Sequence, residues 1–178
     1  MAALLGEPLP VELMNTIWAD RDGVHDTLAD ADGLAAWLVA IGESGDAVLG
    51  DFRALRDALR TLAAEVTDDT RSVADPNRDV HRAVATLNKA CASAPSWSRL
   101  DWSEQRVERV TSGNAVLSVV AEAAVTLFGS DQRDELRACY APGCVLYFVR
   151  DHPRRQWCSA GCGNRARVAR HYARHHTS

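Results

Sequence analysis

The sequence lacks an apolar run long enough to cross a membrane. Its longest run, Ala115 to Phe128, falls short of the roughly 20 residues that a membrane helix needs. Ser118, Glu122 and Thr126 recur in it at every fourth position, which places one polar stripe on a helix. No basic segment followed by an apolar core opens the chain, because glycine and proline interrupt its start. We therefore expect a buried helix, no membrane partner and a cytoplasmic location.

Catalytic motifs are also missing. His25 and His81 lie far apart, with no nucleophile motif, phosphate-binding loop or metal-binding carboxylate pattern near them. The acids between positions 20 and 32 are spaced like a solvated charge run. The chain contains neither an internal repeat nor a low-complexity tract. These observations predict that the protein is not an enzyme.

Negative charge is almost absent from the C-terminal segment. Residues 136–178 contain eight arginines, four histidines and a single acid, Asp151, which gives a net charge of +7. Residues 1–135 contain 12 basic and 23 acidic groups, net −11, so the overall charge of −4 hides a strong asymmetry. A short basic segment attracts a polyanion and gains affinity by displacing counterions, whereas an acidic body does not. The asymmetry favours DNA as a partner, although a basic tail can also bind an acidic protein surface.

Apolar residues at helical spacing predict a mainly α protein with a helical N-terminal domain. A chain of 178 residues, 47% of them hydrophobic, can bury a real core. The predicted helices cover 11–18, 33–41, about 46–66, a segment from the cap Asp75-Pro76 to Pro95, and 113–129.

The remaining segments of the N-terminal region are predicted to connect these helices. We expect an acidic, glycine-interrupted connection over 20–32, and either a hairpin or an irregular excursion over 96–110. A short polar helix or linker over 130–137 contains the domain boundary, which divides the chain into domains 1–135 and 136–178. Apolar helices in the first domain could also form a homodimer.

Four of the five cysteines have the spacing of a metal site. They form two close pairs, Cys139-x4-Cys144 and Cys158-x3-Cys162, separated by thirteen residues. Two such pairs can converge on one tetrahedral Zn²⁺, and four protein ligands leave no open position for a catalytic water. Disulfides or free thiols are the alternative, and a reducing cytoplasm disfavours disulfides. Cys91 lies apart, on an apolar helical stripe, as a buried inert thiol.

The chain around these pairs predicts a small zinc finger, treble-clef-like or ribbon-like, made of a β-hairpin and a helix. Ala-Pro-Gly at 141–143 favours a tight turn inside the first pair. The β-branched and aromatic run 145–149 is a strand, and 154–157 is its expected partner. Ser159 is the expected cap of a helix that contains Cys162. Zinc would supply the folding free energy that so short a segment lacks.

Arginines follow the last cysteine at helical spacing. Arg167, Arg170 and Arg174 share one helical face, with Val168 and Tyr172 expected to pack toward the hairpin. A guanidinium group offers a planar fork of donors that fits phosphate or guanine. The predicted DNA contacts are Arg154, Arg155, Arg165, Arg167, Arg170 and Arg174. A solvated basic helix that touches the acidic domain is the alternative.

The motif Cys-Gly-Asn-Arg at 162–165, which follows the other three cysteines, resembles the signature of the CGNR zinc-finger family. The resemblance covers residues 136–176. In that family the finger usually follows an ABATE domain. Asn15-Thr16, Asp26-x-Leu28 and Leu34-x-x-Trp37-Leu38 resemble the start of that domain.

This resemblance implies a stress-induced transcription regulator with four zinc-ligating cysteines, a DNA-binding finger and a ligand-sensing N-terminal domain. Arg165 would contact DNA or support the finger, and Asn15, Thr16 and Trp37 would contact a small-molecule ligand. Asn15 and Thr16 could instead form a helix cap or an internal hydrogen-bonding pair. Four tryptophans could line an apolar pocket or belong to the core: Trp18, Trp37, Trp97 and Trp102.

Two functions compete with the DNA-binding regulator at this stage. The finger could be a protein-interaction adaptor that docks onto an acidic partner. The zinc thiolates could also form a redox sensor that releases zinc under mild oxidation.

Overall fold

Helices predominate in the computed structural model of the protein, which describes residues 4–44, 47–111 and 115–175. The six α-helices in these ranges are α1 (Leu9–Met14), α2 (Ala31–Ala40), α3 (Leu49–Val66), α4 (Val80–Cys91), α5 (Val116–Gly129) and α6 (Ala160–His175). Three antiparallel pairs of strands accompany them: β1 (Ile17–Asp20) with β2 (Gly23–Asp26), β3 (Ser96–Asp101) with β4 (Arg106–Thr111), and β5 (Leu136–Ala138) with β6 (Tyr147–Val149). The mainly α prediction is confirmed.

The core lies between α1, α3, α4 and α5. Phe52, Leu55, Leu59 and Leu62 recur on α3 at steps of three and four and are all at most 7% exposed, because this spacing keeps them on one face. The apolar run expected as a buried helix is α5, which packs against the other three helices. No helix in the described ranges combines the length and apolar character that a membrane span requires.

Two of the helices begin with a capping aspartate. The side chain of Asp30 accepts a hydrogen bond from the Gly33 amide at 2.8 Å, and α2 follows it. The predicted cap at Asp75 is wrong, because Asp79 caps α4 and accepts from the Arg82 amide at 2.9 Å. Asp75 instead holds a turn through the Asn77 amide, 2.8 Å from its carboxylate. The expected starts of two other helices, at 46 and 113, lie outside the described residues.

Two hairpins interrupt the helical body. The helix expected over 11–18 is shorter, because α1 ends at Met14 and β1 begins at Ile17. β1 and β2 also occupy the first part of the connection expected over 20–32, and α2 begins before its end. Trp18 and His25 face each other across this hairpin with ring centroids 4.4 Å apart. The second hairpin, β3 with β4, confirms the first of the two alternatives for 96–110. Trp97 and Trp102 lie on it and are 51% and 79% exposed, so neither belongs to the core.

The finger pairs its strands differently from the prediction. β6 pairs with β5, upstream of the first cysteine, and the expected partner segment 154–157 is irregular instead, with a turn that ends at Arg154 and a bend that begins at Trp157. The ladder continues from Ala138 opposite Tyr147 to a hydrogen bond of 3.0 Å from the Cys139 amide to the Leu146 carbonyl. The turn between the first two cysteines is therefore the tip of this hairpin.

The strands of the finger also complete the core of the body. Leu136, Ala138 and Tyr147 are all at most 8% exposed and belong to the same apolar cluster as the helices. β5 packs against α3, and β6 packs against α1. The cysteines form a second, smaller cluster with Phe148, Leu146 and Trp157. The finger is thus joined to the body by shared apolar burial.

Candidate metal centre and its surroundings

The four predicted cysteines converge in the structure. Their sulfur atoms all lie within 4.8 Å of one another, and each residue is at most 6% exposed. The Sγ atoms of Cys144 and Cys158 are 3.8 Å apart, and those of Cys158 and Cys162 are 3.3 Å apart. Four sulfur ligands at about 2.3 Å from a zinc ion lie about 3.8 Å apart in a regular tetrahedron. The arrangement fits one structural Zn²⁺.

The electrostatics of the thiols also suit a divalent cation. Hydrogen bonds with the thiols of Cys144 and Cys158 lower the pKa of Cys139 to about 2. Hydrogen bonding with Cys139 in turn raises the pKa of Cys144 to about 12, and it also raises the pKa of Cys158. Charge on one sulfur therefore opposes ionisation of its neighbours. A cation at their centre removes this repulsion and lets all four bind as thiolates.

The first cysteine pair is held by a tight turn. The Cys144 amide donates to the Ala141 carbonyl at 2.9 Å. Gly143 has a φ of +72°, in the left-handed region where a side chain is strained, so glycine suits this position. The expected turn in Ala-Pro-Gly is confirmed, and we call the segment 139–146 the knuckle.

The second pair lies where α6 begins. The Ser159 hydroxyl accepts a hydrogen bond from the Cys162 amide at 3.2 Å, which confirms the expected cap. Gly163 faces the indole of Trp157 so closely that a Cβ there would lie 3.1 Å from Trp157 Cδ1. The glycine of the Cys-Gly-Asn-Arg motif therefore allows Trp157 to pack against the helix. Arg165 donates from Nη2 to Cys162 Sγ at 3.0 Å, so its guanidinium offsets thiolate charge.

An arginine of the body supports the knuckle. Nη1 of Arg71 faces three main-chain carbonyls and lies 2.9 Å from that of Leu146, 3.2 Å from that of Cys139 and 3.4 Å from that of Cys144. Asp69, 1% exposed, fixes the other edge of this guanidinium through a contact of 2.7 Å. Sequence reasoning missed Arg71, because it lies in a polar segment distant in sequence from the cysteines.

Tyr147 links the same network to the core. Its hydroxyl donates to Asp69 Oδ2 at 2.7 Å, and the guanidinium of Arg71 lies 4.8 Å from its ring centroid. Burial, followed by the hydrogen bond to Asp69, raises the pKa of Tyr147 to about 12. A neutral tyrosine and an ionised aspartate therefore coexist beneath the knuckle.

An ion pair between Arg155 and Glu7 also connects the finger to the body. The guanidinium of Arg155 pairs with Glu7, and it also donates to the carbonyls of Val149 at 3.0 Å and Cys158 at 3.2 Å. Burial is the main cause that raises the pKa of Glu7.

Four of the six predicted DNA contacts, Arg154, Arg167, Arg170 and Arg174, are exposed residues that form no ion pair within the described ranges. Arg155 is engaged inside the molecule.

The three residues predicted to contact a ligand lie close to the finger. The side-chain amide of Asn15 donates from Nδ2 to the Tyr147 carbonyl and accepts at Oδ1 from the Tyr147 amide, each at 2.9 Å. The Thr16 hydroxyl donates to the Leu13 carbonyl at 2.8 Å. Trp37 is 3% exposed and packs edge-on against Phe52 at 6.0 Å. Asn15 therefore joins β6 to the body. Internal hydrogen bonding of this kind is one of the alternatives to ligand contact that the sequence leaves open for Asn15 and Thr16.

The fold and the metal centre together define a mainly α protein whose C-terminal finger holds one structural zinc ion. Residues 135–175 match the family model of the CGNR zinc finger. Residues 7–131 match the family model of ABATE, which is described as "putative stress-induced transcription regulator". The chain belongs to the ABATE family and carries a CGNR zinc finger. No curated protein of similar sequence matches it.

Proposed function

We propose that the protein regulates transcription by binding DNA through α6, while its helical body senses a ligand or partner. The exposure of α6 is the observation that carries this proposal. Every residue from 167 to 175 is exposed, although the first two turns of the helix are anchored by Cys162 and Ala166. Val168 and Tyr172, expected to pack toward the hairpin, are 46% and 59% exposed instead. The helix that the zinc centre anchors is therefore exposed to solvent from residue 167 to residue 175.

The charges of this helix suit a phosphate backbone. Arg167, Arg170 and Arg174 recur at steps of three and four, which places them on one face over about 10 Å. Within the described ranges none of them pairs with an acid of the body, so the alternative of a helix neutralised by the acidic domain receives no support. The major groove of DNA admits a helix of this kind, whose exposed guanidinium groups are not paired with carboxylates in the described ranges.

Outside α6, the molecule offers little that would bind a polyanion. The body carries a net charge of −11 over residues 1–135 and repels a polyanion. Arg154 is an exposed residue of the finger and can add a contact, whereas Arg155 and Arg165 are engaged with Glu7 and Cys162. The proposal includes a cytoplasmic location, where reduced thiols favour zinc over disulfides.

A salt titration of DNA binding tests the proposal. Removal of one arginine that binds a phosphate reduces the slope of log K against log salt by about 0.9. The triple variant Arg167→Gln, Arg170→Gln, Arg174→Gln should therefore bind duplex DNA more weakly, with a slope smaller by roughly 3. Fluorescence anisotropy with a labelled random-sequence duplex, at several salt concentrations, measures both quantities.

The matched control removes the same charge from the body. Arg21, Arg82 and Arg133 are exposed arginines outside the finger, and their triple change to glutamine should leave affinity and slope close to those of the unmodified protein. Equal slopes for the two triple variants would contradict DNA binding through α6.

Exposed apolar side chains support one rival, a protein-interaction adaptor. Val168 and Tyr172 lie beside the arginines and would suit an acidic protein partner with an apolar patch. A stoichiometric complex with a purified protein partner, together with no DNA binding at low salt, would favour the adaptor. The redox-sensor alternative is less well supported, because all four sulfur ligands come from buried residues.

A further inference from the structure

The exposed end of α6 carries two histidines that lie one helical turn apart. His171 and His175 are four residues apart, so their side chains leave the same face of the helix. Their ring centroids are 4.4 Å apart, and the ring planes are inclined by 46°. Both residues are exposed, and no hydrogen bond or ion pair engages either ring within the described ranges. The two imidazoles are therefore available as ligands.

The separation of the rings fits two ligands of one metal ion. Imidazole nitrogen binds Zn²⁺ at about 2.0–2.1 Å, so two imidazoles on neighbouring positions of one ion have centroids about 4.5–5 Å apart. The observed 4.4 Å is close to the short end of this range, and exposed side chains can rotate to adjust it. Two histidines at this spacing on one helical face are an established zinc-binding pair. Water can complete the coordination shell.

The donor atoms define the class of metal. Imidazole nitrogen suits Zn²⁺, Ni²⁺ and Cu²⁺, whereas Mg²⁺ and Ca²⁺ prefer oxygen ligands. Arg167, Arg170 and Arg174 disfavour a nearby cation, but they are exposed, so water and salt screen their repulsion. A site with two protein ligands in solvent should exchange its ion readily, unlike the buried centre with four sulfur ligands.

We propose that His171 and His175 form a second, exchangeable metal site that binds Zn²⁺ or a similar divalent transition-metal ion. This site lies outside the cysteine centre and goes beyond the proposed function, which assigns sensing to the helical body. His171 shares its helical face with Arg167 and Arg174, which are four and three residues away. A bound ion therefore adds positive charge to the surface proposed to contact DNA.

Titration of the zinc-loaded full chain with further Zn²⁺ tests the site. Calorimetry should detect one additional equivalent, and ¹H–¹⁵N spectra should show the ring nitrogens of His171 and His175 shifting saturably as it binds. Mg²⁺ should produce neither effect, because the site offers no oxygen ligand from a side chain. Zn²⁺ is the suitable probe, because it cannot put a different metal into the cysteine centre.

Two variants remove one ligand each. His171→Gln and His175→Gln should weaken binding of the additional equivalent by about tenfold or more, since loss of a ligand costs at least as much as loss of a residue that orients one. His152→Gln is the matched control, because His152 is an exposed histidine of the finger with no histidine one turn away. It should retain full affinity. Elemental analysis should find the first equivalent of zinc in all three variants.

Two results would overturn the inference. One is the absence of an additional equivalent in the unmodified protein, and the other is equal affinity in His171→Gln. Uptake of several equivalents that neither ligand substitution reduces would reveal adventitious binding only and would count as the second result.

The consequence for DNA rests on the proposed function. At constant salt, the additional Zn²⁺ should tighten binding of duplex DNA by the unmodified protein but not by His171→Gln, because the ion adds charge next to the arginines. An equal effect of Zn²⁺ on both proteins would contradict this consequence. The metal titrations contain no DNA, so a protein that binds the additional ion but no DNA would refute only the proposed function.

Discussion

Arg71 connects the body to the knuckle through a single guanidinium group. It faces three knuckle carbonyls, and Asp69 holds it in place. Residues that orient metal ligands typically change metal affinity by 10- to 100-fold when altered. Lysine keeps the charge of arginine but loses its planar fork of donors.

We therefore expect Arg71→Lys to weaken zinc binding by about 10- to 100-fold. Competition with a chromophoric chelator measures the zinc affinity. Arg82→Lys, a conservative change at an exposed position of α4, is the control and should bind zinc like the unmodified protein. Unchanged affinity in Arg71→Lys would contradict a supporting role for Arg71.

Gly161 and Gly163, both at the start of α6, provide two matched positions for substitution by alanine. A Cβ at Gly163 would lie 3.1 Å from Trp157 Cδ1, whereas one at Gly161 would meet Ser159 Oγ at an ordinary 3.7 Å. Gly161→Ala should stabilise the protein by up to about 1 kcal/mol through helix propensity. Gly163→Ala should destabilise it by about 1–3 kcal/mol through crowding. Urea unfolding of the zinc-loaded protein measures both, and equal midpoints would contradict the crowding.

The raised pKa of Tyr147 predicts that the folded protein loses stability in alkali. Its pKa of about 12 in the folded protein exceeds the ordinary value of 10.0, so the folded state retains a proton that the unfolded state loses. The contribution of protonated Tyr147 to the free energy of unfolding is fully present below pH 10 and is lost as the pH rises to about 12. It amounts to at most about 3 kcal/mol. Urea unfolding of the protein and of Tyr147→Phe across this range measures it. The stability difference between them should shrink with pH, and a constant difference would contradict the raised pKa.

At the scale of elements, α6 depends on metal more than the body helices do. Its buried residues are Cys162 and Ala166, so little apolar burial holds it in place. The helices α3 and α4 pack against each other and bury Phe52, Leu59 and Leu87. A helix with so small an apolar face is not stable alone in water.

Removal of zinc should therefore abolish amide protection in α6 while α3 and α4 stay protected. Hydrogen exchange with mass spectrometry, before and after chelation, resolves the two regions. Readdition of zinc is the control and should restore protection. Persistent protection of α6 in zinc-free protein would contradict a structural role for the metal.

For the whole molecule, the shared core makes the body depend on the strands of the finger. Leu136, Ala138 and Tyr147 belong to the body cluster, and Asn15 binds the main chain of Tyr147. A chain that stops at residue 134 should consequently be less stable by several kcal/mol, since each buried large side chain contributes about 1.5–3 kcal/mol. A chain that stops at residue 166 removes the exposed part of α6 and should keep the stability of the body.

Thermal unfolding of the two truncated chains distinguishes these expectations. A low or absent transition in the shorter chain and a near-unchanged body transition in the longer one would agree with a shared core. Equal transitions would show that the body folds independently of β5 and β6.

The sequence alone determined the features that depend on local spacing. The two cysteine pairs, the turn at 141–143, the cap at Ser159 and the apolar stripe of α3 follow from neighbours within a few residues. Ligand spacing and helical periodicity are properties of the chain itself, which is why these features could be predicted.

Only the tertiary structure decided which distant residues meet. The support of the knuckle by Arg71, the binding of Asn15 to the main chain of Tyr147 and the pairing of Arg155 with Glu7 join segments far apart in sequence. No local pattern marks such partners, because their energies come from burial and hydrogen bonding in the finished fold. The same packing buries Trp37 and leaves Trp102 in solvent, although the sequence alone does not distinguish the two tryptophans.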